Sequence, residues 1–323
     1  LIGTTLLWVL WAETRPEQER WLRNEAQARL LAWFPEPMAA PAGENGFVSV
    51  PEPVANRPLV ILVHGLDEPG GIFDELGPAL GQAGYPWTEF RYLNDQAIEF
   101  SAQALADQWS DLPADQTVVL VGHSMGGLVI RDYVTRAMAR QQESDATIVG
   151  ALLIGTPNQG SEWARLRVWL ELRDRFGSDE QDDYSLFAGL RDGTGAAKID
   201  LRPGSRFLED LNSRPWPEDI PLRILGGQIT GTADPHRTGL KELAVITQDP
   251  DWAEGFGNWL DESSDQLGDG VVPISALPAP GAPQPDLVTA SHRGLLVSGP
   301  LNAGEPPGIP WVLEQLAQMG RTP

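Results

Sequence analysis

Residues 118–127 read Val118-Val119-Leu120-Val121-Gly122-His123-Ser124-Met125-Gly126-Gly127, and the fold turns on this stretch. An apolar, β-branched run of the kind buried in a sheet passes directly into a serine, with a helical pattern immediately after it. Glycines stand two positions before the serine and two positions after it, giving G-x-S-x-G. A strand that bends so sharply into a helix lifts the serine hydroxyl beyond the end of the sheet. It also folds the chain so closely on itself that both flanking positions must be small. The five-residue pattern alone is weak, because a composition with 34 glycines in 323 residues yields it in about one chain in six. The strand before it and the helix after it supply the specificity that the pattern lacks.

Working outward, apolar runs alternate with helical patterns from Leu59 onward, the signature of a mostly parallel sheet with helices on both faces. Strands are expected at Leu59–Val63, Thr88–Tyr92, Thr117–Val121, Thr147–Ile154, Leu222–Ile229 and Asp286–Thr289. Helices are expected at Phe73–Ala83, Ala97–Trp109, Gly127–Gln141 and Pro310–Met319. Two stretches interrupt the alternation, at about residues 161–220 and 231–267. Ser161 can cap a helix carrying Trp163, Leu166, Trp169, Leu170, Leu172 and Phe176; the second stretch carries Trp252, Phe256 and Trp259. Both follow strands on the side where such sheets place their sites, so they are read as cap or lid insertions, with core packing the alternative for the aromatics.

Residues 1–46 form a separate reading: an apolar segment, a helix and a linker, followed by one α/β domain over residues 47–323. Leu1–Trp11 is uncharged and too short to span a bilayer, which needs about 20 apolar residues. As the end of an anchor or signal it implies membrane association and an envelope, periplasmic or secreted location; as a helix packed on the domain it is compatible with the cytoplasm. Pro16 suits the first turn of a helix running to about Phe34, with a partly apolar face made by Trp21, Arg23, Leu30, Leu31 and Phe34. The formal charge of −22 argues against a nucleic-acid partner. With no cysteine, disulfides, thiolate metal sites and cysteine nucleophiles are excluded.

A serine hydroxyl needs a base within hydrogen-bond reach and a group to orient that base. The chain has four histidines. His123 sits inside the turn, directed away from the serine, and His64 follows the first long strand in a structural position. His236 lies in an insertion. His292 follows the last strand, where an imidazole can lean over Ser124, so His292 is the expected base and His236 the alternative. A serine placed this way has its acid between it and the histidine in the chain. Asp269, set between two glycines in Gly268-Asp269-Gly270-Val271-Val272-Pro273, is the expected acid. Asp234, just beyond the strand ending at Ile229, is the alternative, and Asp251 and Asp286 fit less well. Two backbone N–H groups should face the developing oxyanion, those of Met125 and Leu66. The chemistry requires no metal or cofactor. The acids Asp261, Glu262, Asp265 and Asp269 match no calcium-loop template and read as a solvated turn.

Together these segments resemble the α/β-hydrolase superfamily, and within it the serine lipases and esterases. The likeness rests on Val63-His64-Gly65-Leu66, Gly122–Gly127, Gly155-Thr156-Pro157-Asn158-Gln159-Gly160-Ser161, Gly268–Pro273 and Ser291-His292. The GTP-x-x-GS and GDG-x-VP segments look like those of bacterial triacylglycerol lipases and GPI-inositol deacylase-like hydrolases. The resemblance implies cleavage of a small-molecule or lipid carboxylic ester through an acyl-enzyme on Ser124, with Asp269 and His292. An acyltransferase or thioesterase would use the same triad. A non-catalytic scaffold would be expected to have lost a member of it, and none is missing.

Overall fold

The computed structural model describes residues 11–12, 14–38, 45–66, 71–114, 116–137, 146–162, 195–230, 241, 245, 250–299 and 304–319. In chain order, helix α1 (Pro16–Trp33) and the short strand β1 (Gly46–Phe47) precede β2 (Leu59–Val63), α2 (Leu76–Gln82), β3 (Trp87–Arg91) and α3 (Ile98–Asp107). Next come β4 (Thr117–His123), α4 (Met125–Asp132) and β5 (Thr147–Ile154). Helices α5 (Ala196–Asp200) and α6 (Arg206–Ser213) lead to β6 (Leu222–Gln228), α7 (Pro250–Leu267), β7 (Asp286–Thr289) and α8 (Gly308–Met319). The strands form one seven-stranded sheet in the order β1-β3-β2-β4-β5-β6-β7. Every pairing is parallel except that of β1 with β3.

The central strands are apolar throughout because both of their faces are covered. Side chains alternate between the two faces of a strand. Leu59, Ile61 and Val63 of β2, with Val118 and Leu120 of β4, meet α3, α4, α5 and α6. Val60 and Leu62, with Val119 and Val121, meet α2, α8 and the Leu295-Leu296 turn. Each fully buried side chain of this size contributes about 1.5–3 kcal/mol by leaving water, so the sheet is fixed in register by two cores at once. Helix α4 starts at Met125, two residues earlier than its sequence pattern suggests, and continues as a π-helical turn over Tyr133–Ala137.

The insertions divide unequally. Ala197, Leu201, Phe207, Leu208 and Leu211 join the core against the sheet, so α5 and α6 belong to the body of the domain. The expected lid helix, with Trp163, Leu166, Trp169, Leu170, Leu172 and Phe176, lies outside the described residues, as do Asp234 and His236. In the second insertion α7 is an 18-residue helix, on which the rings of Phe256 and Trp259 stack 5.6 Å apart.

Helix α1 is oriented opposite to the apolar face expected for it. Trp21 is 65% exposed, and Leu31, Trp33 and Phe34 are also exposed, while Glu19 and Gln27 are buried. The cause is a set of charged contacts on the inner side. Arg20 Nε donates to Asp200 Oδ1 at 2.6 Å, and its Nη2 donates to Glu99 Oε1 at 3.0 Å. Glu19 accepts from Arg23 at 2.7 Å and from Arg202 at 3.3 Å. Asp200 also accepts from the Ile98 amide at 3.0 Å. Burial raises the Asp200 carboxyl to about 6, against the pull of Arg20 and the Ile98 amide. Among the described residues no helix is long and apolar enough to cross a membrane; Leu1–Leu10 lie outside them.

These contacts predict opposite outcomes for two neighbouring residues. Arg20→Met strands the buried Asp200 carboxylate and should cost about 3 kcal/mol at neutral pH. Because the raised pKa of Asp200 favours its protonated form in the folded state, that cost should shrink as the pH falls below about 6. Trp21→Ser should change stability by less than about 0.5 kcal/mol. Urea denaturation at pH 7.5 and pH 5 measures both; an equal loss in the two variants would contradict the inward-facing charges.

Candidate active site

Ser124 lies between β4 and α4 with φ 54° and ψ −127°, a conformation that L residues rarely adopt. Two backbone bonds hold it: its N–H donates to the Ile154 carbonyl at 2.8 Å, and its own carbonyl accepts from Gly127 N–H at 3.1 Å. The flanking glycines are required by close approach. A Cβ on Gly122 would lie 2.6 Å from the Gly127 nitrogen and 2.7 Å from its Cα. On Gly126 it would strike the carbonyl oxygens of Val63 and His64. Gly126 thus fits against the end of β2, which brings the Val63-His64 backbone beside the start of α4. Among the described residues, the N–H groups of Met125 and Leu66 have no hydrogen-bond acceptor.

Asp269 and His292, 23 residues apart in sequence, meet with His292 Nδ1 2.7 Å from Asp269 Oδ2. Asp269 is fully enclosed. Its Oδ1 accepts from the amides of Val271 at 2.9 Å and Val272 at 2.7 Å, so both carboxylate oxygens are occupied in a single orientation. Glycines at φ 54° (Gly268) and φ 91° (Gly270) allow the chain to turn tightly enough to present those amides to the residue between them. The backbone contributes a further link, His292 N–H donating to the Asp269 carbonyl at 2.9 Å.

His292 is also joined to the serine turn. His123, next to Ser124 and fully buried, donates from Nε2 to the His292 carbonyl at 3.1 Å, with the two rings 4.7 Å apart. The His292 ring rests on Gly155, where an added Cβ would come within 3.1 Å of Cε1 and Nδ1. Gly155 directly follows Ile154, the residue that accepts the Ser124 amide. Ser124 and His292 therefore share neighbours, although among the described residues the Ser124 hydroxyl makes no hydrogen bond. His64 keeps the structural position expected of it: its ring stacks on Tyr92 at 4.5 Å, and the Tyr92 hydroxyl donates to its carbonyl at 2.6 Å.

From the sequence, the Gly155–Ser161 segment carried a family resemblance and a helix cap at Ser161, but no role at the site. In the fold it joins α4 to the Asp269 turn. Arg131 of α4, almost fully buried, donates to Asn158 Oδ1 at 3.0 Å and to Asn212 Oδ1 at 2.9 Å. Burial, with the charge of Arg214 adding to it, lowers Arg131 to about 10 against the pull of Asp132, so it stays charged at neutral pH. The signal in the sequence was a charged residue within the apolar run Leu128-Val129-Ile130-Arg131. Two surface grooves, of about 610 Å³ beside Arg214 and Trp216 and about 340 Å³ beside Arg20 and Arg206, include none of Ser124, Asp269 or His292. Asp269 does not gather with Asp261, Glu262 and Asp265, and among the described residues no group of three His, Asp or Glu side chains is arranged to hold a metal ion.

Comparison with known proteins gives the same architecture. A metagenomic carboxyl esterase, MGS0156, superposes with a TM-score of 0.55 at 16% identity, over 92% of this chain and 89% of that one. At that identity the likeness shows the fold alone. Bacillus licheniformis lipase BlEst2 in its mature form gives a TM-score of 0.49 at 18% identity, over 76% of this chain and 89% of that one. Staphylococcus hyicus lipase gives 0.49 at 16% identity, over 84% and 98%. No curated protein sequence matches significantly. The model of the Alpha/beta hydrolase family matches residues 60–321, most of the chain, and the chain belongs to that family.

Proposed function

We propose that this protein hydrolyses carboxylic esters, with Ser124 as nucleophile, His292 as general base and Asp269 as the acid that orients it. The observation that carries the reading is the Asp269–His292 contact at 2.7 Å, tied through His123 and Gly155 to the strained turn at Ser124. With Asp269 accepting from Nδ1–H, the imidazole has Nε2 as its unprotonated, basic nitrogen. That nitrogen takes the Ser124 proton as the oxygen attacks the acyl carbon. The Met125 and Leu66 amides, unpaired among the described residues, suit the oxyanion of the tetrahedral intermediate. His292 then returns the proton to the leaving alcohol and activates the water that cleaves the acyl-enzyme. The substrate is a small-molecule or lipid ester.

Ser124→Ala should lower the hydrolysis of p-nitrophenyl esters by up to about a millionfold and abolish labelling by a fluorophosphonate. Turnover near the parental rate would sink the assignment. Asp269→Asn should cost about 10⁴ in kcat by disturbing the imidazole tautomer, whereas Asp234→Asn should leave kcat within about a factor of two of the parental value. The reverse order would move the acid to Asp234.

The elbow can be tested by sterics. Gly122→Ala places a Cβ against Gly127 backbone and should cost more than about 4 kcal/mol, or prevent folding. On α7, Gly255→Ala meets open space and should stabilise by about 0.5–1 kcal/mol through helix propensity. Thermal denaturation of the pair decides it.

A further inference from the structure

We propose that Ser161 is a positioning residue for the triad, acting on His292 through the peptide that holds Asp269. The inference rests on the reading of Asp269 as the acid. Ser161 is buried, and its Oγ donates to the Val271 carbonyl at 2.5 Å. The N–H of the same residue, Val271, donates to Asp269 Oδ1 at 2.9 Å, and Asp269 Oδ2 meets His292 Nδ1 at 2.7 Å. The Val271 carbonyl shares one planar peptide with the Val272 N–H, which donates to the same Oδ1 at 2.7 Å, so the relay runs Ser161, the Val271–Val272 peptide, Asp269, His292.

The rest of the Gly155–Ser161 segment fixes the position from which Ser161 reaches. Its own N–H donates to the Leu201 carbonyl at 2.9 Å. Asn158 Nδ2 donates to the Leu277 carbonyl at 2.5 Å, and Gln159 N–H donates to the Ala276 carbonyl at 3.0 Å. Both acceptors lie just beyond the C-terminal end of the acid turn, so the same loop holds the turn at Val271 and again past its end. Asn158 in turn accepts from Arg131 on α4, the helix that begins at the nucleophile. The loop therefore refers the acid and the nucleophile to one framework. The hydroxyl at position 161 is the member that touches the acid turn nearest the carboxylate.

Without the Ser161 bond the peptide joining Val271 to Val272 can tilt, and the Val272 N–H of that same peptide, which donates to Asp269 Oδ1 at 2.7 Å, tilts with it. The carboxylate then rotates away from Nδ1. An imidazole less firmly paired with a carboxylate is less basic, because the carboxylate stabilises the imidazolium form. A purely structural bond would lower stability and leave the titration of His292 where it was.

The test compares Ser161→Ala with the parental protein, using p-nitrophenyl ester kinetics across pH and the far-downfield proton resonance of His292 Nδ1–H. The expected result is a fall in kcat of about tenfold to a hundredfold with KM nearly unchanged. The acidic limb of kcat/KM should move to lower pH, and the resonance should broaden or shift. Ser161→Cys keeps the volume with a weaker donor and should move each quantity in the same direction by less; it also serves where the alanine variant does not fold. Ser161→Thr, which restores the hydroxyl, should return the pH profile toward the parental one. A lowered melting temperature with the parental profile and resonance would overturn the proposal. If Asp269→Asn itself left activity intact, the reading of the triad would fall first, so the two failures are distinguishable.

Discussion

The backbone of Ser124 occupies a conformation that costs about 1–3 kcal/mol, and the carboxyl end of the sheet is built to keep it there. The strain is imposed by a strand that must end and a helix that must begin within one residue. It is tolerated because β4 is paired on both sides over its length and α4 is buried along its whole run. Two glycines then permit what no other residue would, Gly122 against the helix and Gly126 against the end of β2. The same closeness has a chemical consequence. It brings the Val63-His64 backbone beside the first turn of α4, where helix geometry already leaves N–H groups without partners. The strain at the serine and the close approach of β2 to these amides thus have a single origin.

Polar groups buried behind this turn are costly unless they are paired, and here their pairing does structural work. Arg131 lies in the core with its guanidinium held by two asparagines, and its lowered pKa records the cost of that burial. An apolar side chain of similar volume would serve a core as well or better. What the guanidinium adds is direction: it fixes Asn158, and through it a loop that would otherwise be defined only by glycines and a proline. Asp269 follows the same logic at the opposite end of that loop, buried with both oxygens engaged.

How much of this was legible in the sequence depended on the range of the interaction concerned. The alternation of strand and helix, the elbow at Ser124 and the pairing of Asp269 with His292 were legible because each leaves a local mark: a β-branched run, a glycine spacing, or a lone histidine after the last strand. The orientation of α1 was not, because it is set by Asp200, Glu99 and Arg202, which lie far away in the chain. Apolar periodicity assumes that the inner face of a helix is the apolar one, and a charged partner surface reverses that rule. The roles of Asn158 and Ser161 were hidden for a related reason. Their motif could be quoted, but its acceptors are backbone carbonyls of Val271 and Leu277, and a carbonyl has no residue identity to read.

The two links between Asp269 and His292 differ in kind, and the difference bears on how the cluster keeps its shape. The side-chain bond sets the tautomer and rotation of the ring, and it is the link that a change of charge on the imidazole would alter. The backbone bond, His292 N–H to the Asp269 carbonyl, is indifferent to that charge. Because both run to one residue, a displacement of the Asp269 turn carries the main chain and ring of His292 together. His123 adds a third anchor from the side of Ser124. His292 is therefore located by its own backbone N–H and carbonyl, bonded to the Asp269 carbonyl and the His123 ring, and its side-chain contact with Asp269 is left to set the orientation of the imidazole. On the proposed reading of the site, that division would let a proton pass through His292 while the geometry that receives it stays in place.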